Sequence, residues 1–274
     1  MADVYGSSVT PRRVTNDFVD SRAFELLSRA GFVARGVVYA IIGVLALRLA
    51  LGDGGRLVNQ QGAFHTVARQ PLGTALLVAL AVGLGGYALW RFVRAGLGRG
   101  PEGRDSSFER IAALASGLVY AALCVLAIEV LAGTSRSTSP DKATAHVLGW
   151  PAGVWLVGAA GAVFIGIAAY QAYRGLTKDF LEDAKTQEMG ALTRRWIGWI
   201  GLVGHLARAV VFGLVGIFLA KAALAYEPKD AVGLNGALGK LLDRSYGPVL
   251  LGVVAAGLIA FAVYSWSDAR FRKI

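Results

Sequence analysis

Apolar residues in this chain gather into six long runs, at about 32–51, 72–94, 110–132, 152–174, 200–225 and 248–266, each rich in Ala, Val, Leu and Gly. A helix needs roughly 20 mostly apolar residues to cross a bilayer. The pattern therefore predicts six membrane-crossing helices, and an all-α fold. The connections after runs one, three and five contain "GAFHTVARQPLG", "TAHVLGWPAG" and "GALGKLLDRSYG". Each is short and amphipathic and ends at Pro or Gly. A helix lying on the membrane interface, stopped before the next span, fits all three.

The runs are not independent. "GVVYAIIG" (36–43) returns as "GLVYAALC" (117–124) and "AVVFGLVG" (209–216). Aligning Tyr39, Tyr120 and Phe212 brings Gly73, Gly153 and Gly247 to the start of the partner span, and Trp90, Tyr170 and Tyr264 near its end. The chain thus divides into an N-terminal arm (1–28) and three span–loop–span units, 29–100, 110–178 and 195–268. Each unit starts and finishes on one side of the membrane. The units are parallel, and pseudo-threefold symmetry about the membrane normal is the natural arrangement. Within the phrase, small residues recur at helical spacing: Gly36, Ala40 and Gly43; Gly117 and Ala121; Ala209, Gly213 and Gly216. Such stripes let helix backbones approach where lipid offers no hydrophobic drive, so they are expected to be packing surfaces.

Composition agrees. The 274 residues are 55% hydrophobic and 17% charged, with mean hydropathy +0.53. The net charge of +10 would suggest nucleic acid in a soluble domain, but here the cations are unevenly placed. Five Lys/Arg precede or open the first span, five follow the second, five follow the fourth and three lie in the tail, against seven in the other three connections. The positive-inside rule places both termini and the two basic connections in the cytoplasm of a bacterial plasma membrane. An even number of spans agrees. No cleavable leader is expected before the first span, which should act as its own membrane signal.

"SRAGFVARGVVYAIIGVLAL", "QGAFHTVARQPLGTALL" and "GLGGYALWRFVRAGLGR" resemble the bacterial membrane family known as domain of unknown function 1206. The resemblance implies a two-span unit repeated three times, and it brings no activity with it. "ARG" at 34–36 returns as "ARA" at 207–209, but the middle copy reads "ASG". A role requiring three arginines is not supported.

Arg35 and Arg208 occupy equivalent positions near one end of spans one and five. Either they snorkel to phosphate headgroups, which is cheap near a helix end, or they form a site for an anionic lipid or ligand. Arg48, Glu129 and Lys221 each follow the repeat aromatic by nine residues, at the opposite end. They either reach water singly, or face inward as a charge ring in which Glu129 pairs with a cation and closes an outer gate. His65, His146 and His205 share no ligand spacing, and the single cysteine, Cys124, excludes an intrachain disulfide, so no metal or cofactor is expected. "GLGRGPEG" (96–103) lacks the Lys-Ser/Thr ending of a phosphate loop and reads as a flexible basic linker. No catalytic constellation is present.

The expected partners are the bilayer, with anionic lipids, and another membrane protein; nucleic acid is not among them. The leading function class is a non-enzymatic scaffold or accessory subunit binding lipid or a membrane partner. The alternative is a small-solute or ion transporter or channel with its path on the pseudo-threefold axis. The two differ in how polar that axis is.

Overall fold

The computed structural model describes residues 22–53, 57–58, 60–71, 73–100, 103–104, 107–134 and 140–272. Six long helices are α1 (Arg22–Ala50), α3 (Gly73–Leu97), α4 (Ser107–Leu131), α6 (Gly153–Thr177), α7 (Ala191–Leu224) and α9 (Gly247–Phe271). All six are long and apolar enough to cross a membrane. Three nine-residue helices join them in pairs: α2 (Gln60–Ala68), α5 (Pro140–Leu148) and α8 (Leu234–Leu242). A backbone that satisfies its own hydrogen bonds is what a lipid environment demands. The span surfaces are correspondingly apolar outward, with Val163, Ile217 and Val253 exposed.

The ends are set by local chemistry. Gly52, Gly98 and Gly133 take positive φ just past α1, α3 and α4, and Lys178 does so after α6. These left-handed residues stop the helices. In the segment expected to be a flexible basic linker, Arg99–Gly100 pairs antiparallel with Gly103–Arg104, Arg99 opposite Arg104. Arg110 reaches back from α4 to the carbonyls of Ala95 and Gly96 at 2.9 and 3.1 Å, so a cation caps the C-terminal end of α3.

The short helices are not merely laid on the interface. Phe64 of α2 and Leu238 of α8 are fully buried against the bundle. Each short helix turns into its partner span at the repeat glycine. Gly73, Gly153 and Gly247 donate their N–H to the carbonyls of Gln70, Trp150 and Arg244 at 2.8, 2.9 and 2.7 Å. A Cβ at any of the three would collide with the last backbone turn of the short helix before it. Glycine is needed there for space.

The recurring phrase packs each unit's first helix against the second helix of the unit before it. Gly36 and Gly43 of α1 face Ala262, Trp266 and Ile259 of α9; Gly117 of α4 faces Phe92 of α3; Gly216 of α7 faces Gly161 and Ile165 of α6. These three seams, α9–α1, α3–α4 and α6–α7, hold the most extensive contacts. Within units, α1 packs on α3 and α7 on α9, but among the described residues α4 and α6 make no comparable contact. The helices therefore form an open arc in the order α4, α3, α1, α9, α7, α6. Both free ends belong to the middle unit.

Candidate functional site

At the end where α1 starts and α9 finishes, here the basic end, the seams enclose charge. Arg35 of α1 is 6% exposed and Asp268 of α9 is 3% exposed. Arg35 donates from Nη2 to Asp268 Oδ2 at 2.8 Å, from Nε to Ser265 Oγ at 3.0 Å and from Nη1 to the Tyr87 hydroxyl at 3.2 Å. Its guanidinium carbon lies 5.1–5.5 Å from the ring centres of Phe32, Phe261 and Tyr87. A buried guanidinium demands this kind of enclosure, with the charge paired and the remaining N–H groups bonded.

The network continues past the helix end. Arg272, held near Asp268 at 3.4 Å, donates to Asp183 at 2.6 Å, and Arg174 of α6 donates to the same carboxylate oxygen at 2.8 Å. Asp183 lies in the connection between α6 and α7, where Lys185 N–H also bonds the Phe271 carbonyl at 2.7 Å. Burial is the largest influence on the Asp183 carboxyl and pushes its pKa up. Arg272 and Arg174 together outweigh it and hold the group well below the usual carboxylate range. The chain Arg35–Asp268–Arg272–Asp183–Arg174 thus ties α1, α9, α6 and the 178–190 connection together.

Arg208 of α7 is placed differently. It lies about 24 Å from the far end of α7, counted at 1.5 Å per residue to Leu224. Its guanidinium carbon is 4.3 Å from the centre of Phe261, 5.1 Å from Phe212 and 5.3 Å from Tyr39. The Gln171 amide, turned so that its oxygen faces the guanidinium, accepts from Nη1 at 2.8 Å. Among the described residues no carboxylate pairs with Arg208. It lines a cavity of about 150 Å³ together with Tyr39, Phe164, Phe212, Leu258 and Gln60. Because α1 and α6 both line it and are not neighbours in the arc, the cavity lies on the concave side.

The equivalence of Arg35 and Arg208 in sequence does not carry over to their surroundings. Arg35 is enclosed by protein and cannot snorkel or touch lipid headgroups, so its reading as a lipid or anion contact is corrected. Arg208 is half-buried and faces a cavity. Arg48, Glu129 and Lys221 do not form a ring. Arg48 is exposed with the Asp53 carbonyl at 3.4 Å, Lys221 pairs with Asp230 at 3.0 Å, and no ion pair joins any two of the three. Neighbours from the adjoining loop satisfy these cations before a partner across the bundle could. His205 is buried, bonds the Gly201 carbonyl through Nδ1 at 2.8 Å and stacks on Phe180 at 4.9 Å, as a core residue would. Of the small stripe, Gly36, Gly43, Gly117 and Gly216 stand at the tight contacts of the seams, whereas Gly213 has room, with Ala168 Cβ 3.6 Å from an added Cβ. Ala40, Ala121 and Ala209 are partly buried on the same helices.

Sequence reasoning missed Asp268, Arg272, Asp183 and Arg174, which were absorbed into basic loops or the tail, and Ser265, which was absorbed into the sixth apolar run. The signal was there in "YSWSDARFR". Ser265, Asp268 and Arg272 fall at i, i+3 and i+7, one face carrying the polar groups that the end of α9 brings to the network.

Six apolar helices in three like seams around buried ion pairs define a multi-pass membrane protein built from a triplicated two-helix unit. The family model described as Domain of Unknown Function (DUF1206) matches at residues 30–98, 111–178 and 203–272, and the chain belongs to that family. It is similar to the Bacillus subtilis (strain 168) "Uncharacterized protein YxxB", 34% identical over 241 residues that cover 86% of this chain and 87% of that one. No solved structure matches.

Proposed function

We propose that the protein is a non-enzymatic scaffold or accessory subunit of a bacterial plasma membrane, its termini cytoplasmic, that binds lipid or a membrane partner. The observation that carries this reading is the buried ion chain from Arg35 to Arg174. Alternating access moves one repeat against another. Here such a movement would separate Arg35 from Asp268 and Asp183 from Arg272, and breaking one buried pair costs about 3–5 kcal/mol. The charges brace the bundle instead of lining a path. Three measurements test the proposal. Native mass spectrometry of the purified protein should show retained anionic lipid or a stoichiometric subunit. Proteoliposomes should show no protein-dependent flux of protons, K⁺ or phosphate; flux above that of empty vesicles would establish the transporter reading in its place. Single cysteines at Ser106 and Ser137, in a Cys124→Ala background, should label from the cytoplasmic and outer faces respectively.

A further inference from the structure

The threefold repeat supplies an internal control on Arg208. Arg35 and Arg208 each stand four residues before the repeat aromatic, and each faces the second helix of the preceding unit across a seam. In the α9–α1 seam the facing positions are Ser265 and Asp268, one and four residues after Tyr264, and both bind Arg35. In the α6–α7 seam the corresponding residues, one and four after Tyr170, are Gln171 and Arg174. Gln171 accepts from Arg208 at the position where Ser265 accepts from Arg35. The acid is replaced by a cation, and Arg174 turns away to Asp183. One of two equivalent intramembrane arginines therefore has its counter-ion built in, and the other has a cavity.

An arginine at membrane depth without a carboxylate is costly and calls for an anion. The cavity shows what shape that anion takes. Beyond Arg208 it is lined almost wholly by apolar and aromatic groups, and along α7 it runs from Arg208 to Val215, about 10 Å. A charged head fits at one end and an apolar body along the rest. The head lies toward the basic end, and the body extends toward the first residues of α2 and α8, where Gln60 and Leu234 line the cavity. We propose that Arg208, oriented by Gln171, is the head-group site for a single-chain anionic amphiphile, a fatty-acid-type carboxylate, whose chain enters the cavity between Tyr39, Phe164 and Phe212. The carboxylate takes the place that Asp268 fills beside Arg35 and receives a forked pair of N–H bonds. This rests on the lipid-binding reading above and deepens it.

The probe is dodecanoate added to the protein in a neutral maltoside detergent, with binding read by native mass spectrometry and by melting temperature. The wild type should retain one equivalent and melt higher. Arg208→Gln should weaken retention about tenfold or more, since a charge-assisted bond is lost. Gln171→Glu tests the site without removing the cation. It writes into the α6–α7 seam the acid that the α9–α1 seam already has, so it should raise the melting temperature of the unliganded protein and abolish the response to dodecanoate. A double change of Arg194 and Arg195 to Gln, at the exposed start of α7, should leave the response intact. Retention of dodecanoate equally by wild type, Arg208→Gln and Gln171→Glu would overturn the proposal, as would its absence from the wild type. A response to inorganic phosphate matching that to dodecanoate would overturn the amphiphile assignment. A flux-active protein that still binds dodecanoate through Arg208 would refute the scaffold reading and leave this site standing.

Discussion

Asp268→Asn removes one charge and leaves the shape of the side chain nearly unchanged. In the folded protein it strands two guanidinium groups, Arg35 at 2.8 Å and Arg272 at 3.4 Å from the same oxygen. Breaking a buried pair from one side costs about 3–5 kcal/mol. The lower end applies, because Arg35 keeps Ser265 and Tyr87 and Arg272 keeps Asp183 at 2.6 Å. At roughly 2–4 °C per kcal/mol for a chain of this size, a loss of about 3 kcal/mol lowers the melting temperature by about 6–12 °C. The assay is thermal melting in lipid nanodiscs, followed by tryptophan fluorescence. Pairing Asp268→Leu with Arg35→Met should recover most of the loss, because an apolar pair replaces a buried ion pair at little cost. The coupling between the two changes should exceed about 1 kcal/mol. An Asp268→Asn protein melting within about 2 °C of the parent, or a double variant no better than the sum of its singles, would refute the brace.

Gly43→Ala should cost about 1–3 kcal/mol, because its Cβ would lie 2.8 Å from Ile259 Cγ1 and 3.0 Å from the Ala255 carbonyl, while Val44→Leu on the exposed face should change the melting temperature little. The Asp183 carboxyl is depressed by Arg272 and Arg174 against the opposing effect of burial, so the unfolded chain takes up its proton at higher pH than the folded one. Its contribution is complete above the unfolded value of about 3.9 and drains away as pH falls further; melting curves should steepen in their decline below about pH 4, and Asp183→Asn should flatten that decline. Arg48→Gln and Glu129→Gln should be additive and nearly neutral, and Lys221→Gln should cost no more than the roughly 1 kcal/mol of its exposed pair with Asp230; a coupled cycle would restore the ring. A chain cut before Gly247 should be degraded several-fold faster than the full chain in a pulse-chase, since Arg35 then lacks both Ser265 and Asp268.

The spans and their pairing were legible because apolar length and the repeated phrase are local signals, readable within 20 or 80 residues. The stripe of Gly36 and Gly43 announced a close approach, although not that its partner would be α9. The ion chain was illegible for a specific reason. Arg35 and Asp268 stand 233 positions apart, and each alone looks like a helix-end charge that reaches water. Only the closure of α9 on α1 turns them inward. Arg208 shows the reverse: its motif matches that of Arg35, and the difference lies in what faces it, Asp268 and the Tyr87 hydroxyl for Arg35 against Gln171 and the Phe261 ring for Arg208. The open side between α4 and α6 left no mark either, because the middle unit carries the same apolar spacing as its neighbours.

The α9–α1 seam also imposes an order in time. A ribosome adding about 5–20 residues per second needs roughly 10–50 s to travel from Arg35 to Asp268. Throughout that interval the first helix is already made and its arginine has no acid to meet. The last helix to emerge is the one that neutralises the first. Closure of the α9–α1 seam is therefore late relative to the synthesis of α1, and a chain that stalls before Asp268 carries an unmatched arginine in its first helix.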